Sequence, residues 1–179
     1  MARLVNTQVA YGRVFKLLHW LIAFLIIGML FLGYFMFDIP DKSLRGQVIG
    51  VHKLTGLSIL ILMILRVTWA LTHPKPLALS GGGPFWQRIV ERTVHYSLYA
   101  ILIVMPVTGW LMSVAFGHAP KLYSLTFALP IEQSKAVGEY WEGLHKTLAI
   151  VIIALISLHI LAAFYHYFVK KDQVLQRML

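Results

Sequence analysis

Eight histidines and no cysteine bound the chemistry open to this chain of 179 residues. Imidazole is the commonest metal ligand and changes protonation near neutral pH. The absence of thiols removes disulfides, thiolate ligation and cysteine-held iron–sulfur clusters. His145 and His159 are fourteen residues apart. In an α-helix that spacing is about 21 Å along the axis with a rotational mismatch of about 40°, so one helix would present both rings on one face at two depths. His19 and His52 are the partners such a helix would need.

The elements that must carry these rings are legible in the composition. Hydrophobic residues make up 59% of the chain and charged residues only 13%, against about 25% charged in a soluble domain, and the mean hydropathy is +0.74. Four apolar stretches, about Leu17–Phe37, Val51–Leu71, Val94–Phe116 and Leu144–Phe168, are each long enough to cross a hydrocarbon core of about 30 Å. The expected fold is all-α: one transmembrane domain over 1–179, a four-helix bundle embedded in membrane lipid, with a first span that is not a cleaved leader. Asp38, Pro40 and Asp41 stop the first span, and Pro74 and Pro76 the second. Gly81, Gly82, Gly83 and Pro84 precede an amphipathic lead-in to the third, which Pro106 and Gly109 should kink. The segment Glu132–Trp141 reads as a short helix on the membrane surface.

Basic residues fix the expected orientation, because cytoplasmic loops retain Lys and Arg. With both termini cytoplasmic, that side carries ten: Arg3, Arg13, Lys16, Arg66, Lys75, Arg88, Arg92, Lys170, Lys171 and Arg177. The other side carries six, with five of the seven acids. The net charge of +9 therefore reads as membrane topology, not as a nucleic-acid surface.

On this topology His19 and His159 lie toward the cytoplasmic side and His52 and His145 toward the outer side. Two stacked two-imidazole sites result, a donor set that suits bis-histidine ligation of haem, whose porphyrin supplies four further donors. A zinc or copper site would instead gather three or four ligands at one depth. The small residues Ala23, Gly50, Gly56, Ala149 and Ala163 would admit a flat macrocycle, although such residues also serve ordinary helix packing. His166, seven residues beyond His159, and His95, near the start of the third span, could hydrogen-bond a quinone and pass it protons; each has a plain structural alternative. Lys16, Lys53, Arg66 and Lys146 are candidate partners for haem propionates, or simply snorkel to the interface. Trp20, Trp69, Trp110 and Trp141 read as an aromatic belt.

Several local patterns resemble the bacterial cytochrome b561 family over nearly the whole chain. They are KLLHW at 16–20, HKLTG at 52–56, the segment from Arg66 to Pro76, MPVTGW at 105–110, LHKTLA at 144–149, and His159 leading through His166, Tyr167 and Phe168 to the tail. The resemblance implies two haem b groups, with the family's ligands falling on His19, His52, His145 and His159. It further implies electron exchange with the quinone pool of a bacterial inner membrane and, in some members, oxidation of superoxide with ubiquinone as acceptor. One departure bears on that last activity: where a superoxide-oxidising member carries lysine, this chain has Glu142. Lys53 and Lys146 would attract an anion to the outer site.

Three functions follow from these readings. The first is an oxidoreductase passing electrons from an outer donor, superoxide among the candidates, to quinone near His166 and His95. The second is a haem-bearing anchor and electron relay for a periplasmic dehydrogenase or hydrogenase docked on the 117–143 loop. The third is a haem-free transporter or metal-binding membrane protein, for which the sequence shows no broken-helix repeat pair or lined pathway.

Overall fold

A computed structural model of the chain describes residues 5–6, 10–73 and 84–179. The breakers Pro74 and Pro76, together with Gly81, Gly82 and Gly83, lie outside them. Four long helices dominate: α1 (Arg13–Phe35), α2 (Lys42–Thr72), α3 (Phe85–Ala115) and α4 (Lys135–Tyr165). All four are long and apolar enough to cross a membrane. They pack in chain order, α1 on α2, α2 on α3 and α3 on α4.

Their ends are set by local chemistry. A 3₁₀ turn, Met36–Asp38, closes α1. The Asp41 carboxylate then accepts a hydrogen bond from the Leu44 N–H at 2.6 Å and starts α2. Pro84 precedes the first residue of α3, where its fixed φ is compatible with a starting helix. Gly117, at φ +75°, ends α3 with a left-handed residue that carries no Cβ penalty. Ser134 accepts from the Val137 N–H at 3.2 Å and caps α4.

The 31 residues of α4 correct the expectation of a separate surface helix at 132–141. Lys135–Trp141 forms the first turns of α4 itself. Nothing there breaks the helix, and Lys135 and Glu139 pair at 3.6 Å in i,i+4 register. Likewise the lead-in at Trp86–Arg92 is continuous with α3, and Pro106 is accommodated inside that helix. At about 46 Å each, the 31-residue helices outrun the hydrocarbon core and project into the interfaces.

Ile22, Ile26, Ile59, Met63, Ile101 and Ile152, contributed by all four helices, make the central apolar core. Phe24, Phe31, Leu71, Ile150 and Leu161 face outward, as lipid-facing side chains should. Between α3 and α4 a two-stranded antiparallel hairpin, β1 (Lys121–Leu122) and β2 (Leu125–Thr126), pairs Lys121 with Thr126. Three side chains fasten this loop to the bundle. Trp110 donates from Nε1 to the Phe127 carbonyl at 2.8 Å, Lys53 donates from Nζ to the His118 carbonyl at 2.8 Å, and Ser113 donates to that same carbonyl. Trp110 is thus a strut as well as a belt residue. Trp20 plays the same part at the opposite end, donating to the Met178 carbonyl at 2.7 Å and holding the C-terminal tail on α1.

A tight contact joins α4 to the end of α3. A Cβ placed on Gly138 would lie 2.5 Å from the Phe116 ring, whereas one on Gly46 would meet nothing within 4 Å. Gly138→Val should therefore destabilise the fold by about 1–3 kcal/mol, read as a lower unfolding midpoint in mixed detergent. Gly46→Ala should not lower it; equal midpoints for the two variants would contradict this packing.

Candidate functional site

The helices bring the four histidines together in two pairs. His52 of α2 faces His145 of α4 with ring centroids 6.5 Å apart. His19 of α1 faces His159 of α4 at 6.2 Å. In both pairs the rings are steeply inclined, by 69° and 70°. An imidazole nitrogen bonds a first-row metal at about 2.0–2.1 Å and lies about 1.1 Å from its ring centre. Two imidazoles on opposite sides of one ion therefore place their centroids about 6.3 Å apart. Both pairs fall close to that spacing. Among the described residues no three His, Asp or Glu side chains gather as a metal cluster, so each level offers a facing pair of imidazoles, a donor set that would suit a haem supplying its own further donors.

Glycines let the His52 and His145 rings lie where they do. A Cβ on Gly109 of α3 would sit 2.9 Å from His145 Cε1, and one on Gly33 of α1 would sit 3.2 Å from His52 Cε1. Of the small residues that the sequence pointed to, Gly50 and Gly56 do not press on a histidine ring. Gly50 faces open space, and Gly56 makes only an ordinary contact with Met29. A glycine one turn from a ligand on its own helix was easy to suspect. One on a different helix, pressed against the ring, has no local signature.

The proton on His145 can be placed from its neighbours. Its Nδ1 is 3.2 Å from the Met105 carbonyl and 3.1 Å from Thr108 Oγ1, and Thr108 already donates its own proton to Met105 at 2.7 Å. Both neighbours therefore offer lone pairs, Nδ1 carries the hydrogen, and Nε2 keeps the lone pair a metal would need. Thr108 is 1% exposed, so this support is shielded from water. His52 Nδ1 is buried with no hydrogen-bond partner, which marks an imidazole whose polar contacts are incomplete within the protein itself.

At the other level the pair gains a neighbour. His95 of α3 lies edge-on to His159, with centroids 5.2 Å apart. Its Nδ1 is 2.7 Å from the Glu91 carbonyl, so Nδ1 donates and Nε2 is left as an acceptor. His166 is placed differently. The α-helix gives way to a π turn, His166–Lys170, closed by Lys171 at φ 53°. Within that turn His166 Nδ1 meets Asp172 Oδ2 at 2.6 Å. His95 and His166 thus keep different company: one abuts a paired histidine, the other forms a dyad with a carboxylate near the helix end. Asp172 was missed by sequence reasoning, because a six-residue separation brings side chains together only when the helix is widened there.

The charged residues next to His52 and His145 in the chain are also engaged. Lys146 forms an ion pair with Glu142 at 2.6 Å, and Lys53 is tied to the loop carbonyl of His118. His118 contributes that carbonyl as a loop residue. His73, beyond α2, stacks on Trp69 with centroids 3.8 Å apart.

Residues 10–179 match the sequence model of the prokaryotic cytochrome b561 family. The chain is 29% identical over 177 residues to cytochrome b561 homolog 2 of Escherichia coli strain K12, covering 97% of this chain and 93% of that protein. It is 25% identical over 162 residues to the probable superoxide oxidase CybB of Yersinia pestis, covering 90% and 91%. Cytochrome b561 homolog 1 of Escherichia coli strain K12 is 23% identical over 128 residues, 72% of each chain. The chain belongs to the prokaryotic cytochrome b561 family: it is a membrane cytochrome, and that membership implies haem b as its cofactor.

Proposed function

We propose that the chain holds two haem b groups, one between His52 and His145 and one between His19 and His159, and passes electrons from an outer-side donor to the quinone pool of a bacterial inner membrane. The observation that carries this reading is the matched spacing of the two imidazole pairs, 6.5 and 6.2 Å, at two levels of one bundle. Haem, when bound, supplies the one-electron oxidation and reduction. The chain's own residues do the rest. Each ligand presents a ring nitrogen, Met105 and Thr108 orient His145, and Gly33 and Gly109 leave room for the outer rings. The apolar helices exclude water. Both termini are cytoplasmic in this reading, which follows from the excess of Lys and Arg on their side.

Reduction of ubiquinone consumes two electrons and two protons, so the cytoplasmic end needs a group that transfers protons. The His166–Asp172 dyad supports that role. Asp172 accepts from Nδ1, which leaves Nε2 free to exchange a proton with a quinone oxygen. His95, through its Nε2, is a second candidate contact for the quinone on the side facing His159.

Superoxide is the proposed donor, a reading that rests on the similarity to the probable superoxide oxidase of Yersinia pestis. The outer electrostatics temper it, since Glu142 offsets the Lys146 charge. A second reading, an electron relay for a periplasmic dehydrogenase or hydrogenase, is favoured by the outer hairpin. That hairpin is fastened to the bundle and displays Leu122, Tyr123 and Leu125, with Tyr123 98% exposed.

Four outcomes test the proposal. The parent should carry two haems per chain, quantified by reduced-minus-oxidised spectra. His19→Ala and His159→Ala should deplete one haem and His52→Ala and His145→Ala the other, whereas unchanged haem content in any of these variants would refute that ligand. With both haems retained, His166→Gln should slow quinone reduction about 10²-fold, and an unaltered rate would remove His166 from the quinone site. Glu142→Gln should raise the rate of superoxide-driven haem reduction at least about twofold at low salt and less at high salt; a rate insensitive to both would point to the relay reading.

A further inference from the structure

Two hydrogen-bond donors near the C-terminal end of α2 are buried without partners among the described residues: Arg66 Nη1 and Trp69 Nε1. They are three residues apart, so they are neighbours on one side of the helix. Arg66 is also tied to the inner histidine level by its ring contacts. Its guanidinium carbon lies 4.8 Å from the Phe15 ring and 5.7 Å from the Tyr99 ring. Phe15 is one turn before His19 on α1, and Tyr99 is one turn after His95 on α3.

A guanidinium in a membrane span needs compensation, because an unpaired buried charge is far costlier than a paired one. Aromatic faces soften that cost but do not replace a hydrogen-bond acceptor. No ion pair among the described residues involves Arg66, and the undescribed residues contain no Asp or Glu. A neutral carbonyl would accept hydrogen bonds but leave the charge unbalanced. A carboxylate does both, and its two oxygens can accept from two donors at once.

We infer that Arg66 and Trp69 form a two-donor receptor for a carboxylate, and that this carboxylate is a propionate of the haem held by His19 and His159. Arg66 thereby raises the reduction potential of that haem. The inference rests on the proposed ligation at that level and goes beyond it by assigning the group that fixes and tunes the porphyrin. Of the other basic candidates, Lys53 is bonded to the His118 carbonyl and Lys146 to Glu142 at the other level, and Lys16, three residues before His19, presents no buried donor without a partner. Trp69, which in sequence reads as part of an aromatic belt, becomes a polar contact whose ring is held by stacking on His73.

The test is redox potentiometry on the purified, detergent-solubilised holoprotein, with haem content measured in parallel. The variants are Arg66→Met, Arg66→Lys, Trp69→Phe and the double variant Arg66→Met with Trp69→Phe. Arg66→Met should shift the ferrous-to-ferric ratio of the His19–His159 haem about tenfold toward ferric at a fixed ambient potential, a fall of about 59 mV for a one-electron couple. The His52–His145 haem should stay in place. Arg66→Lys should recover part of the shift. Trp69→Phe, which keeps a ring beside His73 and removes only the N–H, should shift the same haem in the same direction. The double variant should fall short of the sum, because both donors serve one acceptor. An unmoved midpoint in Arg66→Met, or additive effects of the two single changes, would overturn the receptor. Shifts that appear only in vesicles of anionic phospholipid, and not in detergent, would assign the donors to a lipid phosphate and overturn the propionate. If Arg66→Met loses the haem outright, Trp69→Phe and Arg66→Lys decide. Full haem content in His19→Ala would instead refute the underlying ligation and leave the two failures distinguishable.

Discussion

One helix presenting two imidazoles on one face is the constraint around which the rest of this bundle is arranged. His145 and His159 can serve two levels only if α4 runs unbroken between them, and it does, from Lys135 to Tyr165. Each ring then requires a partner at its own depth. The up-and-down order of the helices supplies them, because His19 lies near the start of α1 and His52 in the early turns of α2, at opposite ends of the bundle. The closeness of the rings in turn dictates where backbone must be bare. Gly109 and Gly33 lie against His145 and His52, and a methyl group at Gly109 would displace its ring.

The second organising force is the cost of polar groups in hydrocarbon, which sorts the buried donors into two classes. Those engaged within the protein do structural work. Thr108 and the Met105 carbonyl hold His145, and Trp110, Lys53 and Ser113 bind the outer loop to the helices. Those left without a partner among the described residues are His52 Nδ1, Arg66 Nη1 and Trp69 Nε1. The first belongs to the His52–His145 pair, and the other two lie three residues apart near the C-terminal end of α2. Incomplete hydrogen bonding concentrated at the two candidate sites, in an apolar bundle, is the pattern expected where a bound group completes the polar contacts.

Charge is distributed unequally between the two faces. At the His52–His145 level the Lys146 charge is offset by Glu142, whereas Lys53, bonded to a neutral carbonyl, keeps its charge, and the exposed apolar hairpin is the prominent feature. At the other end, Arg66 lies against Phe15 and Tyr99, each one turn from a histidine of that level, and His166 pairs with Asp172, so a positive charge and an acid–base couple are gathered there. A positive charge favours the reduced form of whatever it faces.

Much of this was present in the sequence. Hydropathy marks the four helices because a span must be apolar over about 20 residues. Helical periodicity puts His145 and His159 on one face, and counting depth pairs them with His52 and His19. Helix boundaries were less legible: the segment 132–141 looked separable, yet Ser134 caps a helix that continues through it, since polarity there reflects the water interface and not a break. The contacts made across helices were decided only by tertiary structure. Gly33 and Gly109 matter for rings on other helices, Asp172 reaches His166 through a π turn, and Arg66 meets Phe15 and Tyr99 from two different helices. Local sequence fixes which face a side chain leaves from, through the 3.6-residue period. What it meets depends on how neighbouring helices rotate and approach, which is set by packing among residues distant in the chain.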